Sequence, residues 1–481
     1  MNFEIVATIP ASNETVKFSY DNTTNTLVAE NGVVFEFTDN KPVDGVETRA
    51  FHKDDPLLKS KHINVLKIQL GLSCNYSCDY CSQKFVERPP ETSSKDIEEF
   101  MSKLDVLEFS EEKGLRVEFW GGEPMVYWKT LKPLTEAIQK KFSSWKEKPL
   151  FSMVTNGSLL TKEKCAWLYY NGFSIGISHD GPGQSVRGPD PLDDPKTKET
   201  ILEFYHLMRK QNRISFNTML NKKNISRKAV YDYFVELTGD PEVAIGEGSL
   251  IDAYDEDGSN SSLHTLEEHF SFRRNAFAEF ISNNMNFTSQ NNKVNDFVHR
   301  LLSHTPSKFL YQKCNMDAEN IISVDLKGNI ITCQNVSVLE TSKNGEPHLG
   351  GNLDDYDNVA IKGVTHWKNR KNCSNCPVLH VCKGSCMYLD GKYWDTTCEN
   401  SYTDNVVMFA VAFFKITGLI PVHIIAEGLP LSRQDIWGTL FDHKEKPKSK
   451  LESIPVRVVA EKEGSIDDVE VYGKSRIITE E

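Results

Sequence analysis

The sequence predicts an α/β fold: a partial (β/α)6 TIM-like barrel, a loop-rich and cysteine-dense extension behind it, and small β additions at the termini. Three observations predict it. From about residue 63, short apolar runs alternate with amphipathic stretches of helical period, as in parallel α/β domains. Ten of the eleven cysteines fall into two groups, 74–81 and 314–398. The flanks carry short alternating apolar runs separated by turn residues.

Taken in order, residues 1–60 form a small β-rich N-terminal extension, with strands expected at Val16–Tyr20 and Val33–Phe37. Residues 61–260 form the barrel. Its strands are placed at Val65–Leu72, Leu115–Trp120, Leu150–Thr155, Phe173–Ser178, Ile214–Leu220 and Val243–Ile251. Its helices are placed at Lys95–Leu104, Leu131–Phe142, Lys162–Tyr170, Thr197–Arg209 and Arg227–Leu237. Such a barrel carries its reactive groups on the loops after the strand C-terminal ends. Residues 261–312 are a helical linker, with a helix around Leu266–Ile281. Residues 313–422 are the cysteine-dense domain, loop-rich and then helical near 405–420. Residues 423–481 are a tail, with a linker starting KEKPKSK at 444 and a hairpin around Val456–Val459 and Val469–Tyr472.

Composition narrows the function classes. The formal net charge is -13 and no long Lys/Arg run interrupts the acidic background, which excludes a nucleic-acid backbone binder. The opening MNFEIVATIP has neither a basic n-region nor an apolar h-region, so a cytoplasmic protein is expected. The stretch VVMFAVAFFKITGLIP, residues 406–421, is broken by Lys415 and Thr417 below the roughly 18 apolar residues a membrane span needs. It reads as a buried helix, and no membrane partner is expected. Clustered cysteines in a cytosolic chain point to metal or redox work rather than disulfides.

The first cluster is Cys74-Asn-Tyr-Ser-Cys78-Asp-Tyr-Cys81, a CxxxCxxC just past the first barrel strand. Three thiolates within eight residues wrap one soft-metal centre, zinc or an iron-sulfur cluster. Structural zinc prefers four ligands in two short knuckles. A cubane held by three cysteines leaves one iron open to a ligand.

This segment resembles the radical SAM superfamily, in which CxxxCxxC holds a 4Fe-4S cluster that chelates S-adenosylmethionine (SAM). The resemblance extends to Tyr80, at the aromatic position near the SAM adenine, and to Gly121-Gly122-Glu123-Pro124, similar to the GGEP motif at the methionyl amino group. Two glycines permit close backbone approach, and Glu123 suits an ammonium. Thr155-Asn156-Gly157 and Ser178-His179-Asp180-Gly181 resemble further family loops, the latter near the SAM ribose and carboxylate. The resemblance therefore makes Tyr80, Gly121, Gly122, Glu123, Pro124, Asn156, Ser178 and Asp180 cofactor-binding candidates, with Arg187 beside them.

The second group is Cys314, Cys333, Cys373, Cys376, Cys382, Cys386 and Cys398. Its CxxC alone suits a zinc ribbon. The whole pattern resembles the SPASM extension of radical SAM enzymes, which holds two auxiliary iron-sulfur clusters. The resemblance implies a distal cluster on Cys373, Cys376, Cys382 and Cys398, and an inner one on Cys314, Cys333 and Cys386. The inner set is one cysteine short, since residues 315–332 contain none. The inner cluster then has an open iron, a non-cysteine ligand or a smaller composition, and a substrate thiolate or amide is a candidate occupant of the site. Cys165, within KEKCAWLYY, reads as a buried helix residue.

The resemblance implies reductive cleavage of SAM to a 5'-deoxyadenosyl radical. SPASM members mostly modify ribosomally made peptides, by thioether or carbon-carbon cross-links or related oxidation. The implied partners are a precursor peptide, an electron donor such as flavodoxin or ferredoxin, and a separate leader-binding protein. Gln334 stands where sulfatase maturases carry an aspartate base, which disfavours sulfatase maturation. The alternatives are a small-molecule or nucleotide substrate, and a zinc-stabilised non-catalytic binding protein. Two readings stay open for residues 1–60: leader capture by strand addition, or a cap on the barrel bottom. The acidic loop Asp252-Ala-Tyr-Asp255-Glu256-Asp257 is either a source of a general base or a solvated turn.

Overall fold

The protein is described by a computed structural model covering residues 1–441 apart from 11, 13, 39–42, 85 and 343–344. The tail hairpin expected at 456–472 lies outside the described residues. At the N-terminus, Phe3, Ile5 and Ala7 point into the core and alternate with outward-facing neighbours, as a half-buried strand requires. Strands β1 (Asn2–Thr8), β2 (Thr15–Asp21) and β3 (Thr26–Ala29) form an antiparallel meander. The strand expected at Val33–Phe37 does not form. Only Val34 bridges back, to Val28, after which the Phe37 amide donates to the Leu302 carbonyl and the chain leaves the sheet. After β4 (Leu57–Leu58), the barrel begins.

Six parallel strands build it: β5 (Val65–Gln69), β6 (Arg116–Trp120), β7 (Leu150–Thr155), β8 (Ser174–Ser178), β9 (Ile214–Asn217) and β10 (Ile245–Glu247). The intervening helices are α1 (Ile97–Lys103), α2 (Trp128–Lys141), α3 (Lys162–Tyr170), α4 (Pro195–Arg209) and α5 (Arg227–Thr238). Three of their starts are set by side-chain caps. Thr161, Asp194 and Ser226 accept from the amides of Lys164, Thr197 and Ala229. Helix α5 ends on Gly239, whose φ of 69° is left-handed. Strands β9 and β10 stop short of their expected ends, leaving only a Leu220–Leu250 bridge beyond them. The next helices are α6 (Glu256–Asn260), α7 (Leu266–Ser282) and α8 (Thr288–Leu302).

The cysteine-dense segment is more regular than its composition suggests. Strand β11 (Ile321–Asp325) pairs in parallel with β5, and β12 (Asn329–Ile331) and β13 (Leu349–Asn352) follow antiparallel. The barrel sheet thus has nine strands in the order β10-β9-β8-β7-β6-β5-β11-β12-β13. A short β14 (Ala360–Ile361) pairs with β4, and α9 (Leu379–Cys382) follows. Helix α10 (Gly391–Thr417) is buried as expected, but it ends sooner than residue 421, at Gly418 with φ 73°. Strand β15 (Ile420–Ile425) then pairs with β1, and α11 (Leu431–Gln434) closes the described chain. No helix among the described residues is long and apolar enough to cross a membrane. One apolar core runs through the N-terminal sheet, the barrel and α10, and a buried ion pair, Arg227–Asp404, ties α5 to α10.

Candidate functional site

The loops after β5, β6, β7 and β8 converge on one cavity of about 280 Å³ at the C-terminal ends of the strands. Its wall includes Cys74, Cys78 and Cys81 with Tyr80, the run Gly121–Pro124, Thr155 and Asn156, and Ser178 and Arg187. Residues from four separate loops therefore meet at one place. Asp180 stands behind this wall, fully buried. Its carboxylate accepts from Arg187 Nη2 at 2.8 Å, from the Met219 amide at 2.8 Å and from the Tyr80 hydroxyl. With the Arg187 guanidinium 5.5 Å from the Tyr80 ring centroid, Asp180 holds the cluster loop from behind.

The glycine pair also acts on that loop. A Cβ on Gly121 would lie 2.5 Å from the Gly71 carbonyl oxygen, and one on Gly122 would lie 2.4 Å from that of Ser73. The amides of Gly122 and Glu123 donate to these same two carbonyls, at 3.1 and 3.0 Å. The close approach that excludes side chains here is therefore to the backbone leading into Cys74. Glu123 is buried rather than a solvated turn residue. Its carboxylate accepts from the Met125 amide at 2.9 Å, the Thr155 hydroxyl at 2.7 Å and the Asn156 amide at 2.7 Å, and so locks the β6 and β7 loops together. Asn156 continues the chain of contacts, its Nδ2 donating to Asn75 Oδ1 at 2.9 Å inside the cluster loop.

The other cysteines form two groups. Cys373, Cys376, Cys382 and Cys398 line one cavity of about 550 Å³. Arg433, from α11, donates to Cys398 Sγ at 3.3 Å and to Glu399 Oε1 at 2.6 Å. Cys314, Cys333 and Cys386 are mutual neighbours. The Cys333 thiol is pushed up to about 12, by burial first and then by Cys314, with Cys386 adding to it. The Tyr254 hydroxyl lies 3.6 Å from Cys386 Sγ. No cysteine completes this set, and Cys165 is buried alone in α3. Burial raises the thiols of the first cluster as well, Cys78 to about 12. Buried thiols of this kind ionise only against a bound cation. Three thiols beside an open, glycine-lined cavity suit a cluster with one free coordination position, and four on one cavity suit a closed one.

Two features escaped local sequence reading. The backbone carbonyl of Gln334, next to Cys333, accepts from Gln69 Nε2 of β5 at 2.7 Å and from Gln83 Nε2 at 3.3 Å, so the first-cluster loop and the inner cysteine group share a brace. Tyr254, Asp252 and Asn335 line the first cavity. Most of the acidic loop is structural. Asp255 caps α6 at the Gly258 amide, Asp257 pairs with Lys84 and Glu256 with Lys392. Asp252 and Tyr254 lie in the acidic run that the sequence marks as a possible source of a base, whereas Asn335 carries no signal beyond its place two residues after Cys333.

Comparison with known proteins agrees with this fold. Residues 68–233 match the Radical SAM superfamily. The radical SAM cyclopropyl synthase TigE of Paramaledivibacter caminithermalis is 22% identical over 361 residues, 69% of this chain and 70% of that protein. The serine-type anaerobic sulfatase-maturating enzyme of Klebsiella aerogenes is 24% identical over 180 residues, 36% of this chain and 44% of that enzyme. Among solved structures, native anSMEcpe with bound AdoMet and Kp18Cys peptide superposes with a TM-score of 0.52 at 19% identity, covering 73% of this chain and 99% of that one.

Proposed function

We propose, for a chain that carries a radical SAM domain followed by a SPASM-type cysteine region, that it modifies a ribosomally made peptide by radical chemistry. When bound, the cluster and SAM supply a one-electron reductive cleavage that leaves a 5'-deoxyadenosyl radical able to abstract hydrogen from an unactivated carbon.

The chain's own residues do the rest. Cys74, Cys78 and Cys81 hold the SAM-binding 4Fe-4S cluster. Gly121, Gly122, Glu123 and Pro124 fix the loop beside it, and Asn156, Ser178 and Tyr80 line the same cavity, where they would hold SAM. Asp180 serves through Tyr80 and Arg187. Cys373, Cys376, Cys382 and Cys398 hold a distal auxiliary cluster, and Cys314, Cys333 and Cys386 an inner one. Water exclusion falls to the cavity wall, which shields the reacting carbon from side reactions.

The observation that carries this reading is the single cavity that joins the first cysteine cluster to Asp252, Tyr254 and Asn335, residues next to the inner cysteine group. Glu118, Trp120, Ser152, Ser215 and Asn217 line a neighbouring cavity of about 350 Å³, which shares Trp120 and Val154 with the first. Substrate space thus lies between the first and inner sites. A peptide substrate is supported by the likeness of fold to anSMEcpe with its bound peptide, and relatedness to a cyclopropyl synthase makes carbon-carbon bond formation the outcome we favour. A cytoplasmic protein served by flavodoxin or ferredoxin and a separate leader-binding protein completes the picture.

Anaerobic incubation of the reconstituted chain with SAM, reductant and the peptide encoded beside it tests this. 5'-Deoxyadenosine together with a peptide mass loss in steps of two hydrogens is the expected result. Deoxyadenosine with an unchanged peptide, and turnover of a small molecule instead, overturns the peptide reading.

A further inference from the structure

Tyr254 belongs to two sites at once. It lies on the loop after β10 and walls the cavity that contains Cys74, Cys78 and Cys81. Its hydroxyl also reaches Cys386 Sγ, in the inner cysteine group, at 3.6 Å. The side chain is held in that position from both sides along the chain. The Ala253 amide donates to Thr397 Oγ1 of α10 at 2.8 Å, and Asp255 caps α6. The ring packs near Tyr388, with centroids 6.2 Å apart. Tyr388 follows Cys386 by two residues, so the same contact fixes the ring against the inner loop.

A phenol hydroxyl donates, and a ligand thiolate accepts. We propose that Tyr254 is a positioning residue for the inner iron-sulfur centre: its O–H donates to the Cys386 sulfur and raises the reduction potential of that centre from the substrate side. This rests on the reading of Cys314, Cys333 and Cys386 as ligands of an inner cluster. A hydrogen bond to a ligand sulfur stabilises the more negative, reduced state and so raises the potential. The Asn335 amide donates to Cys333 Sγ at 3.4 Å, so the Tyr254 hydroxyl adds a side-chain donor to a backbone one. Because the same ring faces the first cavity, a substrate that displaces the hydroxyl changes the inner centre without touching its ligands.

The test is an anaerobic redox titration of the full, reconstituted chain followed by electron paramagnetic resonance. The inner signal is identified as the one lost in Cys386→Ala. Tyr254→Phe removes the hydroxyl and keeps the ring. It is expected to lower the reduced-to-oxidised ratio of the inner centre about tenfold at a fixed poise, a shift of about 59 mV for one electron, with the other two signals unmoved. Site-specific 3-fluorotyrosine at position 254, a stronger donor, is expected to move the potential the opposite way. An unmoved inner potential in both variants, or an equal shift in all three centres, overturns the inference and leaves the inner cluster standing. If Cys386→Ala costs the chain no iron and no signal, the inner cluster and the inference fall together.

Discussion

The position a Cβ would take on Gly122 is occupied by the carbonyl oxygens of Ser73 and Leu72. A methyl there pushes the backbone entering Cys74 away from the β6 loop, because both atoms belong to backbone and neither can swing aside. Gly122→Ala is therefore expected to keep the fold and the auxiliary iron, lose roughly a third of total iron, and lower deoxyadenosine formation by roughly two orders of magnitude, in line with the cost of a 1 Å misplacement. Iron analysis and product chromatography read both. Asp180 poses the opposite case, a buried charge with a named partner. Asp180→Asn keeps the shape and leaves the Arg187 guanidinium buried without its counter-charge, which is expected to cost about 3–5 kcal/mol in an anaerobic denaturant titration. A much smaller loss means that Arg187 finds another partner. The sequence made Gly122 and Asp180 legible as motif positions. Their contacts were not legible, because both partners, Ser73 and Tyr80, arrive from a different loop.

At the scale of elements, α3 and α5 began where expected, after the side-chain caps Thr161 and Ser226, whereas α4, capped by Asp194, begins at Pro195, two residues before the expected Thr197. Strand β11 was not legible. All five of its residues are buried, so it shows no alternation, and its partner β5 lies far away along the chain. The end of α10 was misplaced because apolar residues continue past Lys415 and Thr417 from helix into β15, and Gly418 marks the change. The contact of α7 with α10 has a pH signature. His269 of α7 is buried, its Nδ1 lies 2.8 Å from Thr403 Oγ1 of α10, and burial, helped by Arg273, lowers it to about 4. It is neutral in the fold, whereas in the unfolded chain it protonates near 6.5. Below about pH 6.5 the unfolded state therefore binds a proton that the folded state refuses. The stability is complete above that pH and is lost as the pH falls toward 4, by roughly 3 kcal/mol for this residue. Urea midpoints at pH 7 and pH 5 are expected to differ less in His269→Gln than in the parent chain. Equal slopes in the two proteins mean that the acid sensitivity lies elsewhere.

Across the whole molecule, the two ends of the described chain meet at the distal cysteines. Pairing of β15 with β1 brings α11 and the turn after β2 to the same region, α11 contributing Arg433 to Cys398. The turn contributes Asn22, whose buried side chain donates through Nδ2 to the carbonyls of Ser374 at 3.1 Å and Cys376 at 2.9 Å. Its own carbonyl accepts from His380 Nε2 at 2.8 Å. The N-terminal sheet thus braces the CxxC segment of the distal cysteine group, a role that neither leader capture nor a cap on the barrel bottom anticipates. The backbone contact from His380 survives substitution of Asn22, so only the two side-chain bonds are removed by Asn22→Ala. At about 1 kcal/mol each, their loss leaves the fold intact and loosens one loop. The expected result is distal iron released to a chelator roughly tenfold faster, while iron at Cys74, Cys78 and Cys81 leaves at the parental rate, each followed by its own paramagnetic signal. Equal acceleration at all sites identifies a global loss of stability instead, and equal retention at all sites means that Arg433 and the protein around the cavity hold the distal loop without the N-terminal sheet.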